Sequence, residues 1–304
     1  MRLRLYHCLT LVTCLWLSSQ TCYSAAPVEI PISTMVVRYH DAGEADIHNA
    51  FQFEIIRLAL EVTRAEFGNY SLQPYTAAPT AKRQAILLGE GTLMNVQWAS
   101  PGTPIAQGDV IPVPIDIMQG LMGFRVCMLD RRHLADFAKV QTLADLRQFT
   151  VGQGQDWTDT LIYTHNKIPV LEAPGLANLF PILASGRFDC LALGIHEIGL
   201  KYRNEQAKYP HLAIEPTLLI YYEFPTYLYV SKRDPRLAER MTLGLHKLQS
   251  SDEFDQLFSR YFAQEMIPLR LHERTIICLK SPYLPQESQC NAPIALPKIS
   301  AAAR

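Results

Sequence analysis

The stretch DIHNAFQFEIIRLALEVTRAEF, residues 46–67, carries a clear helical pattern. Its apolar side chains recur at helical spacing, which predicts one amphipathic helix with Asp46 at its start and Gly68 at its end. Short β-branched or alternating runs stand on either side of it, at residues 34–38 and 70–75. A strand, a helix and a second strand in this order predict two parallel strands joined by a crossover helix.

The alternation of strands and helices continues along the chain and falls into two series. The first series adds a helix over residues 80–88 and a strand over 93–98. The second series has strands at 123–129, 149–152, 168–171 and 188–193 and helices at 143–148, 157–165, 176–184 and 196–206. A strand pair and two helices close the pattern, at residues 218–222, 227–231, 235–249 and 252–262. We therefore expect an α/β fold made of two units in series.

Two proline-punctuated segments connect these units and predict a hinge. They cover residues 112–120 and 221–225, so the chain crosses between the units twice. Hinges usually consist of a few loop or element-end residues of this kind. The resulting division is lobe 1, residues 26–118 and 223–265; lobe 2, residues 119–222; and a C-terminal tail, residues 266–304.

Residues 1–25 have the order of a secretory signal peptide. Arg2 and Arg4 make a basic start, an apolar run spans residues 8–17, and small residues follow at positions 24–26. An apolar run of about ten residues is too short for the roughly 20 that cross a bilayer, and an N-terminal membrane anchor is the alternative. The sequence therefore predicts a soluble mature protein that is exported to the periplasm.

The composition limits the classes of partner that we expect. Lys plus Arg is 28 and Asp plus Glu is 29, which gives a formal net charge of −1. Without a basic excess we expect no nucleic-acid partner, because the phosphate backbone is bound mainly by positive charge. The sequence contains no CxxC pair and no cysteine–histidine spacing of the kind found in metal sites. We expect no metal, no cofactor and a monomer.

Four of the seven cysteines follow the predicted signal peptide, at positions 127, 190, 278 and 290. Four cysteines allow three pairings, and the sequence alone does not choose among them. Cys278 and Cys290 flank a proline-containing loop, and we expect a bond there that adds about 3 kcal/mol by restricting the unfolded chain. Cys127 and Cys190 lie in short apolar runs and are interpreted as two small buried side chains.

Local phrases in a fixed order carry a resemblance to a known family. They read GTLMNVQW at 91–98, GLMGFR at 120–125, LADLR at 143–147 with VGQG at 151–154, LASGRFD at 183–189, and SSDEFD at 250–255. Together, and behind a signal peptide, they resemble the family 3 extracellular solute-binding proteins over residues 30–263. The resemblance implies the type II periplasmic-binding-protein fold, a two-lobed clamshell in which each lobe is a mostly parallel sheet flanked by helices.

The same resemblance implies that the protein binds a solute and makes or breaks no bond. Two lobes would close on a small polar molecule, amino-acid-like or an organic acid, and deliver it to an ABC-type transporter in the membrane. The family's amino-acid binders commonly carry an arginine shortly after the third strand, where it pairs with the ligand carboxylate. Residues 98–107 contain no arginine, so a carboxylate would need other donors here.

The candidate solute-binding residues lie where strands end, because ligands of open α/β sheets bind at the carboxyl ends of the strands. Arg38 could supply the missing cation, and Trp98 and Trp157 are expected to face each other as aromatic walls. Trp98 also fits a core position, and His196 and Glu197 also fit ordinary helix-start positions. The full set is Arg38, Tyr39, Trp98, Ser100, Gln153, Trp157, Thr158, His196 and Glu197.

Two other functions fit the same residues. The first is an exported dehydratase-like enzyme on the same fold, in which His196 with Glu197, or His40 with Asp41, would act as acid and base. Neighbours in sequence do not face each other on a helix, which weighs against the first of these pairs. The second is a ligand-binding partner of a membrane sensor, which differs from a transport protein in what recognises its closed state.

Overall fold

The structure, a computed structural model, describes residues 34–41, 47–285, 289–291 and 293–299. The predicted signal peptide and Asp46, the predicted start of the first helix, lie outside these residues. Among the residues described, no helix combines the length and the apolarity that a membrane span requires.

Helices and strands alternate through most of the chain. The helices are α1 (Ile47–Glu61), α2 (Arg64–Phe67), α3 (Ala81–Glu90), α4 (Leu134–Phe137), α5 (Leu143–Leu146), α6 (Asp159–His165), α7 (Leu176–Ala184), α8 (Ile198–Glu205), α9 (Pro235–Gln249) and α10 (Asp252–Met266). The strands are β1 (Met35–His40), β2 (Tyr70–Tyr75), β3 (Val96–Ala99), β4 (Val110–Val113), β5 (Phe124–Asp130), β6 (Val151–Gly154), β7 (Val170–Ala173), β8 (Cys190–Gly194), β9 (Leu212–Ile214), β10 (Leu218–Tyr222), β11 (Tyr227–Ser231) and β12 (Thr275–Leu279).

Lobe 1 is built on two small sheets that one residue, Asn95, joins. β1 and β2 pair in parallel, and β11 lies between β3 and β4 with both pairings antiparallel. Asn95, just before β3, donates its backbone N–H to the Arg38 carbonyl at 2.9 Å. The Asn95 side chain accepts from the Arg38 amide at 2.7 Å and donates to the Val36 carbonyl at 2.8 Å. These bonds connect β1 to the sheet that contains β3.

Lobe 2 holds a seven-stranded sheet in the order β12-β10-β5-β8-β6-β7, with β9 paired to β5. β6 pairs in parallel with β7 and β8, whereas β5 runs antiparallel to β8, β9 and β10. All five residues of β8 and all but the last of β5 are buried, in keeping with their largely apolar sequences. This buried sheet fixes the carboxyl ends of β6 and β8, near which the cleft described below forms.

The C-terminal segment, which the sequence predicts to be a tail, instead supplies the edge strand β12 of lobe 2. β12 pairs in parallel with β10. Arg274, just before β12, is buried and donates to the carbonyls of Leu269, Glu215 and Leu218 at 2.7, 2.6 and 2.9 Å. These bonds satisfy a buried cation and anchor the segment, which explains how a stretch with little periodic pattern forms a strand.

The two segments that connect the lobes are tied together by Asp116. Its carboxylate accepts hydrogen bonds from the backbone N–H groups of Met118 and Gly120, in the first crossing, at 2.9 and 2.7 Å. It also accepts from the Thr226 N–H, beside the second crossing, at 3.0 Å, and Ile117 donates to the Thr226 carbonyl. Burial raises the pKa of the Asp116 carboxyl, and the three N–H donors act against that rise. The two crossings therefore form one hydrogen-bonded unit.

Two disulfides join the four cysteines. Cys278 and Cys290 close the loop that follows β12. The interpretation of Cys127 and Cys190 as separate buried side chains is wrong, because they form the second disulfide. The antiparallel pairing of β5 and β8 brings their Cα atoms to 5.2 Å, within the range that a disulfide needs. Periodicity along the sequence cannot reveal an approach between residues 63 positions apart.

Arg240 is fully buried in lobe 1 and connects α9 to the end of α1. Its guanidinium donates to the Thr63 hydroxyl at 3.0 Å and to the carbonyls of Leu60 and Gly68 at 2.8 and 2.9 Å. Carbonyls at the carboxyl end of a helix lack helical partners, and Arg240 supplies the donors. Burial lowers the pKa of Arg240, and the Tyr70 ring faces the cation at 5.3 Å.

Replacing Arg240 by Met should lower the free energy of unfolding by about 3 kcal/mol, because the Thr63 hydroxyl and the Leu60 and Gly68 carbonyls would each lose the hydrogen bond that the guanidinium donates. Urea unfolding followed by circular dichroism measures the change. Arg236→Met is the matched control, since Arg236 lies one turn earlier on α9, is exposed, and approaches the same Phe67 ring. Equal losses in the two variants would contradict the role assigned to Arg240.

Candidate functional site

Two cavities lie along the cleft between the lobes, and Met122 lines both of them. The large chamber has a volume of about 720 Å³ and the small chamber about 350 Å³, sizes that suit a small solute. The lining of the large chamber includes Gly102, Thr103, Pro104, Arg125, residues 156–161, Glu172, Glu197 and Tyr283. The lining of the small chamber includes His40, His48, Asn49, Gln52, Gln84, Gln97, Trp98, Ser100 and Thr226.

Arg125, the second residue of β5, places a buried positive charge in the wall of the large chamber. Its Nε and Nη2 atoms donate to Asp159 Oδ1 at 3.2 and 2.7 Å, and Nη1 donates to the Met122 carbonyl at 2.6 Å. The Tyr222 hydroxyl donates to the same carboxylate oxygen, and its ring lies 5.2 Å from the guanidinium. Burial raises the pKa of the Tyr222 hydroxyl well above its usual value, so it remains a donor. Protein groups therefore already satisfy this cation.

Three further carboxylates line the large chamber, those of Asp156, Glu172 and Glu197. None of them forms an ion pair within the part of the chain that the structure describes, and Glu197 accepts a bond from the Gly194 N–H at 3.2 Å. Among those same residues, no cluster of three or more His, Cys, Asp and Glu side chains could hold a metal ion. Because Asp159 offsets the charge of Arg125, the chamber has an excess of negative charge that would attract a cationic group.

Trp157 and Trp98 supply aromatic surface to different chambers. Trp157 lines the large chamber and Trp98 the small one, so the rings lie in separate parts of the cleft rather than opposite each other. A Cβ on Gly154 would come within 2.2 Å of the Trp157 ring. Glycine at this position therefore lets the indole pack on the end of β6.

Neutral hydrogen-bonding groups line the small chamber. The hydroxyl oxygens of Ser100 and Thr226 are 3.2 Å apart, which links the loop after β3 to the residue that follows the second crossing. Gln97 donates to the Gln84 side chain at 2.9 Å. The carbonyl oxygens of the Gln52 and Gln97 side chains are buried and accept no hydrogen bond from the described residues. The wall therefore has unused acceptor capacity.

Five of the sequence-predicted residues line the chambers, namely Trp98, Ser100, Trp157, Thr158 and Glu197. The other four, Arg38, Tyr39, Gln153 and His196, line neither chamber. Tyr39 is buried and stacks on Phe53 in the core of lobe 1, with ring centroids 4.7 Å apart. Gln153 is buried and donates to a neighbouring carbonyl, and Arg38 does not bring its charge to the cleft wall. Successive strand residues point to opposite faces, so nearness to a strand end does not settle where a side chain points.

The structure also adds wall residues that the sequence predictions missed, among them Arg125, Asp159, Glu172, His48, Gln52, Gln97 and Tyr283. Two of them could have been recognised from the sequence. Arg125 interrupts an apolar strand, and Gln52 stands between two phenylalanines on the buried face of α1. Tyr283 could not be recognised in this way, because the segment around it has no helical or strand periodicity.

His196 is buried where the two lobes meet, rather than in a chamber. Its ring packs edge-on against His48 of α1, with centroids 4.2 Å apart, and against Phe262 of α10 at 6.3 Å. Burial lowers the pKa of His196 well below its usual value, and the nearby His48 and Arg125 lower it further. A neutral imidazole therefore sits between the lobes near pH 7.

The free energy of unfolding should fall as the pH drops below about 6.5, because the unfolded chain then binds a proton that folded His196 excludes. The loss continues until the pH reaches the lowered pKa of His196, and above about pH 7 this group adds no pH dependence. His196→Gln should flatten the slope, measured by urea unfolding at a series of pH values, whereas the exposed control His246→Gln should not. An unaltered slope in His196→Gln would contradict this assignment.

No protein-family model and no curated protein matches this chain. Among solved structures, the GluR0 ligand-binding core in complex with L-glutamate matches with a TM-score of 0.52 and 14% identity, covering 76% of this chain and 99% of that one. A Salmonella typhimurium periplasmic binding protein of high arginine specificity matches with a TM-score of 0.49 and 16% identity, covering 75% of this chain and 100% of that one. The likeness to the GluR0 core confirms the fold: this chain has the two-lobed type II periplasmic-binding-protein fold.

Proposed function

We propose that this protein is a solute-binding protein, which captures a small polar solute between its lobes and delivers it to a membrane ABC-type transporter. The observation that carries the proposal is the large chamber, whose wall residues come from both lobes. A solute that touches both walls binds the closed arrangement better than the open one and shifts the population toward it. The two crossings, which Asp116 ties together, would serve as the hinge for such a movement.

Export to the periplasm is part of this proposal. Residues 1–25 have the basic, apolar and small-residue order of a signal peptide. The two disulfides fit an oxidising compartment, because such bonds are rare in the cytosol. A periplasmic binder of this kind would act as a monomer.

The charges of the cleft favour an amine-bearing solute over an organic acid. Arg125 is the only lysine or arginine among the described residues that line the two chambers, and Asp159 already pairs with it. A solute carboxylate would therefore meet Asp156, Glu172 and Glu197 without a free cation. A solute ammonium or guanidinium group would be attracted by those carboxylates and by the face of Trp157. Such a solute also brings N–H groups, which can donate hydrogen bonds to the side-chain oxygens of Gln52 and Gln97.

Binding without catalysis is proposed because the suggested acid–base pairs do not share a cavity wall. Glu197 lines the large chamber, whereas His196 is buried against His48. His40 lines the small chamber, and its Nε2 is 3.0 Å from the Ala77 carbonyl. General acid–base catalysis needs both groups within reach of one substrate. A ligand-binding partner of a membrane sensor would use the same cleft. Identifying the membrane protein that binds the closed form would distinguish this role from transport.

Intrinsic fluorescence tests the proposal directly. Of the three tryptophans, Trp98 and Trp157 follow the predicted signal peptide, and each lines one chamber. Titration of the mature protein with L-arginine and 1,4-diaminobutane should give a saturable change, and succinate should give none. Absence of any saturable change across cationic, neutral and anionic solutes, supported by unchanged thermal stability, would contradict a binding role.

Variants of the wall test the charge preference. Glu197→Gln and Trp157→Ala should each weaken binding of the amine probe by about tenfold, equivalent to about 1.4 kcal/mol. The exposed control Glu239→Gln, on α9 of lobe 1, should leave the dissociation constant unchanged. If Glu197→Gln binds the amine probe as well as the parent protein, the electrostatic preference assigned to the large chamber is wrong.

A further inference from the structure

Tyr283, from the C-terminal segment, lies in the cleft and contacts both of its sides. Its ring lines the large chamber, and its hydroxyl donates to the Thr158 carbonyl of lobe 2 at 3.0 Å. The ring also lies against Gly102 of lobe 1, since a Cβ on Gly102 would come within 2.4 Å of Tyr283 Cε1. The absence of a side chain at Gly102 leaves the space that the aromatic ring occupies.

A network of hydrogen bonds holds the backbone around Tyr283. The Gln289 side chain is 3% exposed and donates to three carbonyls within residues 281–285, each at 3.0 Å. Asn166 of lobe 2 donates to the Lys280 carbonyl at 2.7 Å and accepts from the Lys280 amide at 2.9 Å. A buried glutamine that satisfies several turn carbonyls makes this part of the loop a defined structure.

The loop is fixed to lobe 2 at both of its ends. β12 precedes it and belongs to the lobe 2 sheet, and the Cys278–Cys290 disulfide closes it. Tyr283 therefore travels with lobe 2 when the lobes separate. A separation of the lobes would keep its bond to Thr158 and break its contact with Gly102.

We propose that Tyr283 is a closure residue of the solute site, carried on lobe 2, whose docking against Gly102 of lobe 1 favours the closed arrangement. The expected consequence, tighter binding of the solute, rests on the proposed solute-binding function. A side chain that stabilises the closed arrangement raises the fraction of binding-competent protein, and the apparent affinity rises by the same factor. Tyr283 at the same time forms the wall against which a solute in the large chamber packs.

The closure role can be tested without any solute. In small-angle X-ray scattering of the solute-free mature protein, Tyr283→Ala should have a larger radius of gyration than the parent. Tyr283→Phe keeps the ring and its packing on Gly102 and loses only the bond to Thr158, which both arrangements keep, so its radius should match that of the parent. Tyr209→Ala is the control, because Tyr209 is partly buried and lines neither chamber. A radius unchanged in Tyr283→Ala would overturn the proposal.

Solvent access to Trp157 gives a second solute-free measurement. In a Trp98→Phe background, Trp157 is the only tryptophan that follows the predicted signal peptide. Acrylamide should quench its fluorescence more strongly when Tyr283→Ala is added, since the mouth of the large chamber would be more often open. Equal quenching with and without Tyr283 would contradict the proposal. Circular dichroism of each variant shows that a change does not come from unfolding.

The disulfide provides a matched pair of variants. Replacing Cys278 and Cys290 by Ala frees the loop and should shift the radius in the same direction as Tyr283→Ala, by a smaller amount. Replacing Cys127 and Cys190 by Ala also removes one disulfide but leaves the loop closed, and should not shift the radius. Equal shifts in the two double variants would mean that the effect is not specific to the Tyr283 loop.

Binding measurements connect the closure role to function and keep the two proposals separate. Tyr283→Ala should weaken binding of L-arginine or 1,4-diaminobutane by about tenfold. Tyr283→Phe, which keeps the ring against Gly102, should bind them about as well as the parent protein does. If the amines bind but Tyr283→Ala changes neither radius nor affinity, closure by Tyr283 is refuted and the binding function stands. If no solute binds but the radius shifts, closure is supported and the binding function fails.

Discussion

The burial of Arg125 is the constraint on which the cleft depends. A guanidinium removed from water needs a counter-ion and hydrogen-bond acceptors, and an unpaired one would be strongly destabilising. Asp159, the Met122 carbonyl and Tyr222 meet that need. Asp159 begins α6, Met122 lies just after the first crossing, and Tyr222 lies in the second crossing. The cation therefore fixes the relative positions of three cleft segments, and by the same contacts it is withdrawn from any solute.

Asp116 binds the same two crossings through a negative charge, where Arg125 uses a positive one. It has no cationic partner in the described chain, and three backbone N–H groups hold it. With the two crossings held together by these bonds, the contacts that an opening movement would break are those across the cleft. They include the ring packing of His48 on His196 and of Tyr283 on Gly102.

Much of the fold could be predicted from the sequence because apolar periodicity follows from the core that each element faces. The strands predicted at 70–75 and 218–222 have those bounds in the structure. β12 could not be predicted, because its place depends on pairing with a distant strand rather than on a local pattern. The strand-end rule selected Trp157, which lines the large chamber, and also His196, which lines neither chamber, because the rule gives the neighbourhood of a residue and not the direction of its side chain.

The position of β12 sets the order in which the chain can assemble during synthesis. Lobe 1 needs β11 and the helices α9 and α10, all of which follow the strands β5 to β10 of lobe 2 in the sequence. The sheet of lobe 2 in turn needs residues 275–279, which follow all of these lobe 1 elements. Pairings between such distant segments form slowly, because loop closure precedes the gain from contact. A ribosome making this polypeptide would therefore have to pass residue 266 before lobe 1 could complete its core, and residue 279 before lobe 2 could.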